Sequence, residues 1–333
     1  MELIFQAVAE DRPGDKWQTL FVRHWPAYEH WFLSEGIAAR ATYDTCRSKL
    51  RQHMPELEPT YETLCELAGG GDIAARFLSL YKPPAYLTGC SQVVWPGDEP
   101  MLVRNYDYSP ALCEGLIQLS RWNGRAVLAM VDCLWGVLDG VNEDGLAISL
   151  TFGGRQVVGD GFGIPLVLRY ILEFCETVEQ ASAVLKRIPV HMAYNVTATD
   201  RSGKFITAFL APGESTRIRP LAVATNHQGR IDWHNYARAT ATVERERFLQ
   251  FRLQDAEMTP EHLIESFQRS PLYTTAYGQG FGTLYTAVYW PRRGAARYLW
   301  PDGAWEQSIE RFEEGIRHQH FAPAGDVSAA AKG

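Results

Sequence analysis

Long apolar runs are missing from this 333-residue chain. None approaches the ~18 residues that a membrane span requires. The opening Met1-Glu2-Leu3-Ile4-Phe5 has no basic leader and soon meets Glu10-Asp11, so no secretory signal is expected and a cytoplasmic location is. The six cysteines (46, 65, 90, 113, 133 and 175) include no C-x-x-C pair, and no His cluster stands at metal-ligand spacing. Reduced thiols are therefore expected, and a metal centre is not. No G-x-S-x-G or Walker motif occurs, so serine-elbow and P-loop phosphate chemistries have no support. Gly159-x-Gly161-x-Gly163 and Gly278-x-Gly280-x-Gly282 lack the spacing and strand-to-helix setting of a dinucleotide fingerprint, so no cofactor is expected. A formal net charge of -7 argues against nucleic acid or an anionic membrane as the main partner.

What is present is the composition of an ordinary globular protein, 46% hydrophobic and 21% charged. Up to residue 89 the pattern is helical. Leu57, Tyr61, Leu64, Cys65 and Ala68 recur at helical spacing before Gly69-Gly70-Gly71, and Asp72 is placed to cap a second helix carrying Ile73, Phe77 and Leu80. Lys82-Pro83-Pro84 then imposes extended chain. Beyond it the pattern turns to β, at Ser91–Trp95, Met101–Tyr108, Ala126–Leu138 and Leu146–Phe152. Two helices follow, one started by Pro165 and one by the capping box Thr177-x-x-Gln180. Strands return at Tyr194–Thr199, Phe205–Leu210 and Leu221–Thr225, then a helix at Arg238–Phe251 and a hairpin through Thr283–Trp290 and Ala296–Trp300. Strands, helices and strands again imply two sheets with helices outside.

Chemistry concentrates at Gly89-Cys90-Ser91 and at Arg104-Asn105-Tyr106-Asp107-Tyr108 on the next strand. A free thiol is ordinarily a small buried hydrophobe, and Cys46, Cys65, Cys113, Cys133 and Cys175 are read that way. Cys90 differs because Gly89 leaves the preceding carbonyl unshielded. Attack on that carbonyl gives an N-to-S acyl shift, and hydrolysis frees an α-amine on Cys90. Such an amine has a pKa of ~7.7–8.0, well suited to a general base at neutral pH. Arg104 and Asp107 stand on opposite faces of a regular strand, unless a bulge or the strand end turns both inward. Asn142 belongs to a tight turn, Asn142-Glu143-Asp144-Gly145.

With Asn142-Glu143-x-Gly145-Leu146-Ala147, Ala224-Thr225-Asn226-His227 and Gly282-Thr283-Leu284-Tyr285-Thr286-Ala287-Val288-Tyr289, these motifs stand in order from about residue 55 to residue 302. The chain thereby resembles the N-terminal-nucleophile hydrolases, in the branch of the choloylglycine hydrolases and the acyl-CoA:6-aminopenicillanic acid acyltransferases. The resemblance implies an α+β fold, a four-layer αββα sandwich of two antiparallel sheets with outer helices. It divides the chain into a helical pro-segment (1–89), a catalytic domain (90–322) and a flexible tail (323–333).

It also implies self-cleavage between Gly89 and Cys90, with Cys90 as nucleophile. Asp107 would orient the new α-amine, Arg104 would favour thiolate, Asn226 would donate to the oxyanion, and Arg245 would help arrange the nucleophile region. The implied activity is hydrolysis or acyl transfer at a non-peptide amide, with a small-molecule amide or acyl-CoA as substrate and the pro-segment as partner. A homo-oligomer is compatible with all of this. Where choloylglycine hydrolases carry a second oxyanion Asn this chain has Thr151, which weakens a bile-salt reading. Two alternatives stand beside it: an uncut Cys-His hydrolase with His227 as base, and a processing-dead ligand-binding protein.

Overall fold

The computed structural model describes residues 1–321; the expected tail at 323–333 lies outside the described residues. In chain order the strands are β1 (Glu2–Glu10), β2 (Gly89–Trp95), β3 (Met101–Tyr108), β4 (Leu116–Ser120), β5 (Val127–Asp132), β6 (Gly136–Asn142), β7 (Leu146–Phe152), β8 (Tyr194–Asp200), β9 (Phe205–Leu210), β10 (Arg217–Arg219), β11 (Val223–Ala224), β12 (Gly282–Trp290), β13 (Ala295–Trp300), β14 (Gly303–Ser308) and β15 (Gly315–His320). The helices are α1 (Asp15–Phe32), α2 (Tyr43–His53), α3 (Glu58–Leu67), α4 (Asp72–Leu78), α5 (Ile164–Phe174), α6 (Val178–Arg187), α7 (His234–Ala239), α8 (Thr242–Gln254) and α9 (Pro260–Ser266).

The strands form two sheets. One has nine strands in the order β10-β9-β8-β7-β6-β5-β4-β1-β15, the other six in the order β11-β2-β3-β12-β13-β14. Side chains alternate across each sheet, and the two inner faces meet. Gln92 on β2 donates to Thr197 on β8 at 2.8 Å and accepts from Ser149 on β7 at 2.6 Å. The outer face of the six-stranded sheet, with Val93, Val103 and Val288, is covered by Leu249 of α8 and by Leu263 and Ile264 of α9. α5 and α6 cover the nine-stranded sheet, burying Leu168, Ile171, Ala181 and Leu185. The layers therefore run helix, sheet, sheet, helix: the αββα sandwich that the motifs imply.

Two features depart from the sequence reading. The first 89 residues are not only helical, because β1 is an interior strand of the larger sheet, parallel to β4 and antiparallel to β15. Among the named strands of the described residues, that parallel pair is the exception to antiparallel pairing. The apolar stretch Ala126–Leu138 is not one strand either. It turns at Cys133 and Leu134, both left-handed (φ 55° and 70°), so Cys133 sits buried in a hairpin turn rather than in a β run.

Local signals otherwise hold. Thr177 caps α6 by accepting from Gln180 N, while Gln180 reaches back to Glu176 N at 2.6 Å. Asp72 is the first helical residue rather than the cap of α4, and it accepts from Arg76 at 3.0 Å. The helix expected at Arg238–Phe251 is two, α7 and α8, broken at Ala241 (φ 48°).

Candidate active site

Cys90 is fully buried near the start of β2, opposite Tyr106 of β3. Its side chain lies on the inner face, as that of Gln92 does. Arg104, also inner, donates through Nη2 to Cys90 Sγ at 3.1 Å. Asp139 holds the guanidinium from the opposite sheet, accepting from Nη1 at 2.5 Å, and Leu138 O accepts at 3.0 Å. Tyr285 (2.7 Å) and Tyr289 both donate to the same Asp139 carboxylate. Burial pushes the Cys90 thiol above its ordinary value, and Arg104 offsets this only in part. Burial and Arg104 thus pull the thiol in opposite directions, burial the more strongly.

Asp107 occupies the other face, as strand alternation dictates, and no inward turn is needed. It stands opposite Gly89 in one ladder and Thr283 in the other. Thr283 donates to Asp107 Oδ1 at 2.7 Å, and Arg245 Nη1 lies 3.6 Å from Oδ2. Burial pushes the carboxyl up to about 6, against the pull of Arg245 and Thr283. A bulge does occur here, but on β12, where the register shifts between Thr283 and Tyr285.

Asn226 and Arg245 close on the backbone of Cys90. Asn226 Oδ1 accepts from Cys90 N at 2.9 Å and from Arg245 Nη2 at 2.8 Å. Arg245 Nη1 donates to Cys90 O at 2.7 Å and to Ser91 Oγ at 2.8 Å. The left-handed Ala241 is the N-cap of α8, the helix that carries Arg245. Thr242, the first residue of α8, accepts from Asn226 N at 2.7 Å. Asn226 Nδ2 donates to Phe152 O at 3.1 Å, leaving its second N–H free for an oxyanion. Gly154 (φ 70°) permits this approach, since a Cβ there would lie 2.2 Å from Asn226 O.

Thr151 is no spare donor, because its hydroxyl is committed to Thr225 O at 2.8 Å. Asn195 donates to Thr225 O and His227 O at 2.7 and 3.0 Å and clamps the loop carrying Asn226. The ring nitrogens of His227 meet Thr225, Thr242 and Glu246, not Cys90. A Cβ on Gly89 would come within 2.5 Å of Phe281 Cζ, so a larger residue there would displace that ring. Tyr236 donates to Thr88 O at 2.5 Å. A cavity of about 520 Å³ lies against this stretch, lined by Leu87, Thr88, Asp107, Tyr236, Arg245 and Phe281.

All five predicted residues thus converge, and sequence reading missed their supports. Asp139 was discernible as a lone acid in the apolar run Val137-Leu138-Asp139-Gly140-Val141. Ser91 and Thr283 lay inside the motifs without an assigned role, and nothing local marks Thr242. Among the described residues, no group of three His, Cys, Asp or Glu is placed to hold a metal ion. No helix among them is long and apolar enough to cross a membrane.

The family profile described as acyl-coenzyme A:6-aminopenicillanic acid acyl-transferase matches residues 94–305, more than half of the chain. Among solved structures the chain is similar to penicillin V acylase from Agrobacterium tumefaciens, at 14% identity and TM-score 0.48, covering 69% of this chain and 90% of that one. It is also similar to a mutant conjugated bile acid hydrolase from Clostridium perfringens (13% identity, TM-score 0.47, covering 70% and 97%). A third is the Caenorhabditis elegans ortholog of N-acylethanolamine-hydrolyzing acid amidase (15%, 0.45, covering 69% and 98%). No curated protein matches.

Proposed function

Because the chain belongs to the acyl-coenzyme A:6-aminopenicillanic acid acyl-transferase family, we propose that it is a self-processing cysteine amidohydrolase or acyltransferase acting on a linear, non-peptide amide. The family match begins after Cys90, so the nucleophile's role rests on geometry. One observation carries it: the sulfur, amide nitrogen and carbonyl of Cys90 are each engaged by a residue the resemblance singles out, Arg104, Asn226 and Arg245 respectively.

In the intact chain, Cys90 Sγ attacks the Gly89 carbonyl. The C–S bond forms, the C–N bond breaks, and the thiol proton passes to the departing nitrogen. Water then cleaves the thioester, leaving Gly89 as a carboxylate and Cys90 with a free thiol and α-amine. In turnover this amine takes the thiol proton as Sγ attacks the substrate carbonyl, with Asp107 orienting it. The free N–H of Asn226 and a backbone N–H stabilise the oxyanion. The leaving amine departs with the proton, and water or a second amine releases the acyl group. A small-molecule amide fits as substrate, and an acyl-CoA fits as acyl donor by resemblance.

An uncut Cys-His hydrolase would need His227 at the thiol, and its partners lie elsewhere. The reading is tested by incubating processed protein with N-acyl 4-nitroanilides, quenching in acid and weighing the chain that begins at Cys90. An acyl-sized mass gain on Cys90, blocked when the thiol is first alkylated with iodoacetamide, is expected. Anilide cleavage without Cys90 acylation would refute the thioester route.

A further inference from the structure

Tyr236 of α7 aims its hydroxyl at the segment to be cut, donating to Thr88 O at 2.5 Å. Its ring stacks on Trp233, centroids 5.0 Å apart, and meets Phe152 edge-on at 5.3 Å, so the hydroxyl is held from two sides. Burial pushes that hydroxyl above its ordinary value, so it remains a donor at neutral pH. Residues 83–88 form no helix or strand, and Leu87 is 46% exposed. Once the bond after Gly89 is cut, a swing of these last residues takes the acceptor away from Tyr236. A buried donor without a partner is costly, and it favours a ligand that brings an acceptor back.

The thioester of processing and the thioester of turnover are the same species at Cys90 Sγ. In each, an acyl carbon is bonded to the sulfur beside a free α-amine, and only the rest of the acyl group differs. In processing the acyl carbon is that of Gly89. Its α-carbon bears no side chain, and the fourth atom along the acyl chain is the carbonyl carbon of Thr88. A substituent placed on that α-carbon as an L side chain would displace the Phe281 ring. Tyr236 and Phe281, with Leu87 and Thr88, line the cavity of about 520 Å³, which leaves room for a longer acyl group.

Resting on the amidase reading above, we propose that the substrate's acyl group retraces the path of Leu87-Thr88-Gly89, and that Tyr236 selects it by donating to an oxygen on its fourth atom. The class is an amide whose acyl group has an unsubstituted α-carbon and a carbonyl at the fourth atom, as in a 4-oxoacyl or N-acylglycyl amide. A plain fatty acyl group leaves the Tyr236 hydroxyl without a partner and is the poorer substrate.

The test uses processed protein and two readouts. The first is kcat/KM for 4-oxopentanoyl and 4-methylpentanoyl 4-nitroanilide, which differ only in carrying an oxygen or a methyl group on the fourth atom. The oxo compound should lead by about ten-fold. Tyr236→Phe keeps the ring on Trp233 and Phe152 and should abolish that lead. The second readout is the mass gained by the chain beginning at Cys90 from N-acetylcysteamine thioesters of the same two acyl groups, which reports acyl preference without amide cleavage. Both anilides cleaved equally, or a lead that survives Tyr236→Phe, overturns the proposal and leaves the amidase reading standing. An oxo preference in acylation that is lost in Tyr236→Phe, with neither anilide cleaved, supports the acyl path and counts against the amidase reading. Acylation that shows no oxo preference, or none at all, with neither anilide cleaved, overturns the proposal.

Discussion

Arg104 and Asp139 meet across the gap between the two sheets, 2.5 Å apart and both fully buried. The pair ties β3 to β6 and aims the guanidinium at Cys90 Sγ. Removing one partner of such a pair leaves an uncompensated buried charge, at a cost of about 3–5 kcal/mol. Asp139→Asn should therefore lower the melting temperature and slow self-cleavage. Tyr289→Phe, which removes a single donor to Asp139, should do much less of both. Thermal melts and the cleaved fraction on denaturing gels read the two effects.

Asp107 sets an acid limb. Its carboxyl sits at about 6 in the intact chain, so the carboxylate form is lost as pH falls through that value. Self-cleavage of freshly refolded precursor should decline below about pH 6. Asp107→Asn should slow cleavage and turnover strongly and remove that limb, with secondary structure unchanged by circular dichroism. The same limb persisting in Asp107→Asn would assign it to another group.

Asn226 should act on the transition state. Its free N–H gains most when the carbonyl oxygen becomes negative, so Asn226→Ala should lower kcat by ~10²–10³ with little change in KM. Single-turnover kinetics on material verified as cleaved make the measurement. His227→Ala should leave acylation within a few-fold of wild type, unlike a variant lacking a catalytic base.

Asp132 links a buried carboxyl to stability. Its carboxyl is raised from 3.8 to about 7 in the fold, first by burial and then by Glu114. Between those values the folded state binds the proton and the unfolded state does not, so this contribution falls as pH rises and is lost above about 7. Each unit of such a shift corresponds to about 1.4 kcal/mol. Asp132→Asn should therefore raise the stability at pH 8 relative to pH 5, as denaturant melts at the two values would register.

The pro-segment should not leave after cleavage. β1 lies between β4 and β15, so releasing residues 1–89 strips β15 of its one partner strand among the described residues. Trp17 Nε1 also donates to Leu134 O at 3.0 Å, tying α1 to the β5–β6 turn. The two chains should co-elute in native size exclusion and separate only in denaturant.

Strands with clear alternation or turn punctuation were legible in the sequence: β3, β7 and β9 match the bounds read from it. β1 was not, because its pairing partners are far along the chain and its pattern is short. The α7–α8 break was hidden because no Pro or Gly marks Ala241, where tertiary contacts hold a left-handed alanine. Cys90, Arg104, Asp107 and Asn226 could be singled out because each sits in a motif, and Arg245 by resemblance alone. Their supports Asp139, Thr242 and Asn195 were not, since each acts through contacts made only once sheets and helices are packed.

The central claim is that the working nucleophile is an N-terminal cysteine. Intact mass and N-terminal sequencing of purified, active protein test it most directly. The account predicts two chains, one ending at Gly89 and one beginning at Cys90, and a single uncut, inactive chain for Cys90→Ala. Full activity from a single chain beginning at Met1 would contradict it.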